Sequence, residues 1–289
     1  MSNTIELAKS FVPKLDECYR LASLTSVLDG APELAKQGAN ANELIIPMMS
    51  MDGLADYSRN GGYVQGGVTM TNETVKCNFD RGRRFDVDVM DDLETAGLAF
   101  GRLSAQFIRD KVVPELDAFR FASYCGISGV TKKEETLADG AATVAALSAA
   151  VTAMDDEEVT ATGRYLFITP TLLQGINDMD TTKSKKVLEG FEQVIKVTQR
   201  RFYTAIKQLS GKTGEEAGGY TKAAGAANIN FAIVQKDALI QYTKHAAPKI
   251  IAPENNPDAD AYVFGYRMVG IAKAYKNMLS GMYFSHDKA

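Results

Sequence analysis

The sequence predicts an α+β chain made of a projecting β-hairpin, one long helix and a mixed domain of strands and helices. Three observations carry this expectation. Apolar residues alternate with polar ones through 64–80, apolar residues recur every three or four positions through 91–112, and short strand and helix patterns interleave between 143 and 245.

Taken in order, residues 1–35 mix apolar and charged residues without a strong period and contain Pro13, Asp29-Gly30 and Pro32. They predict an extended arm with a short helix near Leu15–Val27. Leu44–Met51 is a short apolar strand candidate. Val64, Val68 and Met70 then share one face of an alternating stretch, and Val75, Cys77 and Phe79 share one face of a second. Asn72-Glu73 lies between them, so the pair predicts a hairpin over about 53–86, with a glycine-rich base at Gly61, Gly62, Gly66 and Gly67. An isolated two-stranded ribbon is marginal in water, so its apolar face calls for a partner.

The helical stripe of 91–112 is Leu93, Ala96, Gly97, Phe100, Leu103, Phe107, Ile108 and Val112. Asp91, Asp92 and Glu94 sit at its start, where the helix dipole favours negative charge. Pro114 is expected to close or kink it, with a second helix over Glu115–Tyr124. Further on, Thr143–Met154 reads as a helix and Tyr165–Ile168 as a strand. Thr169-Pro170 opens a helix with Thr169 as cap. Gly211–Gly225 reads as a flexible loop, Ile229–Val234 as a strand, and Asp237 as the cap of a helix through Tyr242. Residues 248–260, with Pro248, Pro253 and Pro257, form a connector. Tyr262–Ala272 and Met278–Phe284 are strands joined near Lys276-Asn277.

Composition narrows the function classes. The chain has 289 residues, 45% hydrophobic and 24% charged, which is enough for a sizeable core and argues against widespread disorder. A net charge of −4 excludes the broad basic field of a sequence-reading nucleic-acid binder. Cys18, Cys77 and Cys125 are odd in number and widely spaced, which fits neither a disulfide framework nor a zinc ribbon but suits a reducing cytoplasm. The N-terminal stretch has no long apolar run and so does not read as a secretory signal. The Ala-rich run at Thr143–Met154 is too short for a bilayer, which needs roughly 20 residues. No membrane contact is expected.

No catalytic constellation emerges, and no cofactor or metal is expected. His245 and His286 are far apart and outside any metal-ligand spacing, so each reads as a surface histidine. Ser210-Gly211-Lys212-Thr213 resembles the end of a phosphate loop, but Ile206 stands where the loop needs glycine, leaving a plain mobile loop as the reading. Asp86, Asp88, Asp91, Asp92 and Glu94 form the densest carboxylate cluster. Met90 and Asp91 occupy positions where an EF-hand needs an oxygen ligand and a glycine, so a strand end before a charged helix start is preferred over a cation site. Arg81, Arg83 and Arg84 can pair with these acids inside the chain or between subunits, and both readings stay open. Lys183, Lys185 and Lys186 form a small basic run that reads as a solvated face, with a weak DNA-facing patch as the alternative.

One stretch is recognisable as a whole. D-G-L-A-D-Y-S-R-N-G-G-Y at 52–63 is followed by G-G-V-T-M-T-N-E-T-V, by D-R-G-R-R-F-D-V-D-V-M-D-D-L-E-T and by F-I-R-D-K-V-V-P-E-L-D-A-F-R. In order and spacing these pieces resemble the major capsid proteins of tailed bacteriophages, whose HK97-like fold is shared with encapsulins. G-R-Y-L-F-I-T-P at 163–170, N-I-N-F-A-I-V at 228–234 and the closing 262–284 region agree.

The resemblance implies a map: an N-terminal arm over 1–35, a peripheral-domain strand over 36–52, and an extended β-hairpin loop over 53–86 lying on a neighbouring subunit. A peripheral domain with the long spine helix follows over 87–134, then an axial domain over 135–250, and 251–289 return to the peripheral domain. It implies a non-enzymatic virion subunit assembled in the host cytoplasm into pentamers and hexamers around double-stranded DNA, held by weak non-specific contacts. A scaffolding protein and a portal would be its other partners. Since the chain starts directly at the arm, scaffolding is expected to be separate, already removed or unnecessary. Lys76 lies in the hairpin, but no motif marks an Asn with which it would crosslink. Inter-subunit contact candidates are Val64, Val68, Met70, Val75 and Phe79 on the hairpin, and Arg81, Arg83, Arg84, Asp86, Asp88, Asp91 and Glu94 at its base. The competing readings are an encapsulin-like shell around cargo protein and a soluble enzyme with an unrecognised site.

Overall fold

The computed structural model describes residues 23–30, 36–37, 43–90 and 105–288. Most of the expected arm, Cys18, and the first part of the expected long helix with Asp91 and Glu94 lie outside the described residues.

Thirteen strands and four helices are described, in three larger sheets and a small hairpin. The central sheet has the order β5 (Thr131–Glu134), β13 (Met282–His286), β10 (Ile229–Gln235), β6 (Arg164–Ile168) and β7 (Gln193–Lys196). Its two outer pairings are parallel and its inner ones antiparallel. Every residue of β6 and β10 is buried, as expected of inner strands covered on both faces. Tyr165, Phe167, Ala232, Val234 and Phe284 meet Phe121, Tyr124 and Cys125 of helix α1 (Val113–Gly126) on one face. Leu166, Ile168, Phe231, Ile233 and Tyr283 meet α2 (Gly140–Asp156) and α3 (Pro170–Asp178) on the other. Ile229 falls on the α1 face, out of alternation with Phe231, because the strand slips register between them.

A second sheet has the order β11 (Leu239–Ile251), β12 (Ala261–Ala274) and β4 (Phe79–Asp88), all antiparallel. Phe79, Phe264, Tyr266 and Met268 pack from it onto Ile108, Val113 and Leu116. The helix therefore binds both sheets: its N-terminal half covers the second and its C-terminal half the first. The third sheet pairs β1 (Lys36–Gln37) with β2 (Glu43–Met51), and β2 with β3 (Val68–Lys76). β8 (Ile206–Gln208) and β9 (Tyr220–Lys222) form the small hairpin.

The α+β expectation stands, but several local expectations change. The chain does not turn at Asn72-Glu73. Val68–Lys76 is one strand paired with β2, and Phe79–Asp88 pairs with β12. The parity of the apolar residues explains the difference. Val68 and Met70 are even and Val75 is odd, so one straight strand presents apolar residues on opposite faces at its two ends. Pro114 neither ends nor splits the helix. Helical backbone runs from 105 to Gly126, with a π-helical turn at Ile108–Val112 immediately before the proline. Proline has no N–H to donate and its ring crowds the preceding turn, and a widened turn accommodates both.

Asp237 does not start a helix through Tyr242. Gln235 caps a single turn at Lys236–Ala238, and β11 follows, paired along its length with β12. That strand runs through Pro248 into the expected connector, which an edge strand tolerates because its outward N–H side needs no partner. Thr169 stands at the start of α3 but its hydroxyl makes no capping bond. The expected loop at Gly211–Gly225 contains β9. Tyr262–Ala272 and Met278–Phe284 do contain strands, but these belong to different sheets.

Candidate functional site

β2 and β3 form a ribbon whose two ends have opposite characters. At the inner end Val75 is buried and packs with Ile240 of β11 and Ile271 of β12. At the outer end Met49 faces Met70 and Met51 faces Val68 across the ladder. These four side chains share one face and are 59%, 65%, 66% and 67% exposed for Met49, Met70, Met51 and Val68 respectively. Beyond them, 52–67 form the tip, with Leu54, Tyr57, Tyr63 and Val64 also exposed. The tip is ordered by local bonds. Asp52 donates its N–H to the Gly67 carbonyl at 3.1 Å and its carboxylate accepts the Gly67 N–H at 2.7 Å, a bridge joins Ser58 and Gly62, and the Tyr57 and Tyr63 rings lie 4.9 Å apart. The result is a locally bonded ribbon whose apolar side chains none of the described residues covers, the mark of an interaction surface.

Of the predicted contact residues, Val64, Val68 and Met70 lie on this surface. Val75 and Phe79 do not: both are core residues, with the Phe79 ring tilted against Phe119 at 5.0 Å. The sequence reading missed Met49, Met51, Leu54, Tyr57 and Tyr63. An apolar strand reads as core until its pairing is known.

The arginines at the ribbon base are divided among different tasks. Arg81 donates from Nε to Glu115 of α1 at 2.8 Å, and from Nη2 to the carbonyls of Leu209 and Gly219 in the β8–β9 loop. Gln208 reaches the same Glu115 oxygen. Burial pushes the Glu115 carboxyl above its ordinary value of 4.5, and Arg81 only partly offsets this. Arg83 donates to the Glu216 carbonyl at 2.8 Å, enclosed by Gly211 and Gly218, whose positive φ angles shape the loop. Arg84 pairs with Asp86 at 2.8 Å, both exposed. Asp88 accepts from the Met90 N–H instead of an arginine. The predicted arginine–carboxylate pairing thus appears within the chain for Arg84, while Arg81 selects Glu115, 34 positions away and not among the acids singled out from sequence. Arg267 and Asp80, likewise not singled out, form a two-bond pair at 2.9 and 2.6 Å that holds the Asp80 carboxyl below its usual range.

A buried polar hub anchors the segment 23–30. Asp117 of α1, fully buried, accepts from Ser23 Oγ at 3.0 Å, Leu24 N at 3.1 Å, Thr25 Oγ1 at 2.7 Å and Arg201 at 3.2 Å. One turn later Arg120 donates to Thr25 Oγ1 and Asp29. Gln241 donates to the Thr25 carbonyl and to Asp29, and accepts from Tyr124 Oη. Four segments distant in sequence are thereby fixed at one point.

Among the described residues no group of three or more His, Cys, Asp or Glu could hold a metal ion, and no helix is long and apolar enough to cross a membrane. Lys183, Lys185 and Lys186 lie on helix α4 (Thr182–Glu189), where Lys185 pairs with Asp180. His245 lies on β11 and His286 ends β13.

Neither a protein-family model nor a curated protein matches the sequence. Solved structures do match its fold. A chain from the Gordonia phage Cozz superposes with a TM-score of 0.61 at 10% identity, covering 93% of this chain and 87% of that one. The virus-like particle from Pyrococcus furiosus gives 0.59 at 10% identity, covering 96% and 98%. The capsid of the cyanophage P-SCSP1u gives 0.53 at 12% identity, covering 87% and 85%. The chain has the fold of these shell proteins. The likeness covers 85% or more of each chain. At such identities it concerns the fold and not individual residues.

Proposed function

We propose that this chain is the structural subunit of an icosahedral phage head, assembling with itself into pentamers and hexamers that enclose double-stranded DNA. The observation that carries the reading is the ribbon: an apolar face that none of the described residues covers, on a chain whose fold matches those of a phage capsid and a virus-like particle over most of its length. A neighbouring copy is the natural cover for that face. In this reading the second sheet and long helix form the peripheral part of the subunit, the central sheet and its helices form the axial part, and the role is structural rather than catalytic. A scaffolding protein and a portal complete the set of partners, and the finished subunit resides in the virion after assembly in the host cytoplasm.

The likeness to the Pyrococcus virus-like particle favours one second reading, a cellular shell around cargo protein. Nuclease-treated native particles decide between the two. Protected double-stranded DNA of defined length supports the phage head, and co-purifying protein without protected DNA supports the cargo shell. The 32 basic and 36 acidic side chains leave little for gripping a genome, so isolated subunits are expected to bind duplex DNA weakly, without sequence preference, and to lose it at moderate salt.

A further inference from the structure

The face of the β11–β12–β4 sheet turned away from the helix carries a feature independent of the ribbon. Strand register sets Gly265 of β12 directly between Lys249 of β11 and Arg84 of β4. Two positions along β12 on the same face stands Arg267, between Ala247 and Gly82. Directly opposed positions are about 5 Å apart, and alternate positions along a strand about 7 Å. Three cations therefore surround a spot where the strand has no side chain. The surface is concave there, a cavity of about 590 Å³ lined by Arg84, Lys249, Arg267, His245 and Asp80 around Gly82 and Gly265, with Asp86 beside Arg84 on the same face.

The internal pairings leave donors over. Arg84 gives Nε to Asp86, and Arg267 gives Nε and Nη2 to Asp80. Among the described residues, both terminal nitrogens of Arg84, Nη1 of Arg267 and Nζ of Lys249 make no hydrogen bond or ion pair, and Asp258 acts on Arg84 only at longer range. These side chains are exposed and point to an anionic ligand. A counterpart lies on a different element. Asp156, Glu157 and Glu158 follow one another at the end of α2, exposed and without an ion pair among the described residues. The helix dipole opposes carboxylates there, and the last turn holds no basic residue to relieve them.

We propose that the socket of Lys249, Arg84 and Arg267 receives the Asp156–Glu158 turn of a second copy. The contact is heterologous, of the head-to-tail kind that closes into rings, and it rests on the shell reading. The test uses full-length protein in three forms: Lys249→Glu with Arg84→Glu, Glu157→Lys with Glu158→Lys, and all four together. Particle yield at low salt is measured by sedimentation, with circular dichroism confirming the fold. Each pair alone should lower the yield at least tenfold, and the four together should recover most of it. Normal particles from either pair, or no recovery in the combination, overturn the contact. Loss of duplex DNA retention with unchanged particle yield overturns it in favour of a nucleic-acid ligand. Wild-type protein that forms no particles at any concentration overturns the shell reading as well, which keeps the two failures apart.

Discussion

Replacing Met49, Met51, Val68 and Met70 together by threonine separates assembly from folding. Threonine is β-branched, which suits a strand, and it removes most of the apolar surface. The four side chains are 59–67% exposed in the free subunit, so about two-thirds of the gain from burying each is still available to a partner. Full burial of such a side chain stabilises by about 1.5–3 kcal/mol, which leaves about 1–2 kcal/mol each and about 4–8 kcal/mol for the face. At 1.4 kcal/mol per factor of ten, this amounts to roughly 10³–10⁶ in the contact's equilibrium constant. Surface substitutions usually change folding stability by about 0.5 kcal/mol or less each. The variant should therefore melt near wild type but sediment as free subunits or small rings. Val75→Ala is the opposite control. Val75 is buried against Ile240 and Ile271, and its truncation should cost about 2 kcal/mol in urea unfolding while leaving the outer face intact. A quadruple threonine variant that closes normal particles would refute the assignment of the ribbon as the interaction surface.

Three further outcomes follow from the interior. Asp117→Ala should lower unfolding stability by about 3–5 kcal/mol, because Arg201 and the donors of 23–25 lose a buried charged acceptor; a change under 1 kcal/mol in urea unfolding would contradict this. Glu115 has a folded-state pKa above 4.5, so the folded chain binds its proton more tightly than the unfolded chain does. Its burial penalty is fully present at neutral pH and is relieved as pH falls through the folded value toward 4.5. Wild type should thus gain stability relative to Glu115→Gln just above pH 4.5, and a difference that stays flat there, or falls, would reject the argument. Gly218→Ala imposes a left-handed conformation on a residue with a side chain, at φ 62°, and places Cβ 2.7 Å from Arg83 Nη1. It should cost about 1–2 kcal/mol and speed hydrogen exchange through 209–219, whereas Gly190→Ala, at φ −73°, should be near neutral; equal behaviour of the two would sink the explanation.

The sequence conveyed the elements better than their partners. The strands at Leu44–Met51, Tyr165–Ile168 and Ile229–Val234 and the Ala-rich helix were legible because local periodicity reflects local burial. Strand pairing was not. Val68–Met70 and Val75–Phe79 satisfy a hairpin pattern locally, and only the long-range bonds to β2 and β12 assign 68–76 and 79–88 to separate strands in different sheets. Pro114 misled for a related reason, since its helix-breaking cost is absorbed by a π-helical turn that leaves no signature in residue type. At the candidate site, the arginine run was conspicuous but its acceptors were not. Glu115, Leu209 and Gly219 meet Arg81 only because α1 and the β8–β9 loop converge on β4. Met49 and Met51 look like core residues in sequence, and nothing local distinguishes a strand that leaves the body from one that stays in it.

The central claim is that copies of this chain cover each other's exposed ribbons in a closed shell. Negative-stain electron microscopy of the purified, concentrated wild-type protein tests it most directly. The account predicts closed, uniform particles of icosahedral outline. A monodisperse monomer at every concentration, with no rings or shells on the grid, would contradict it.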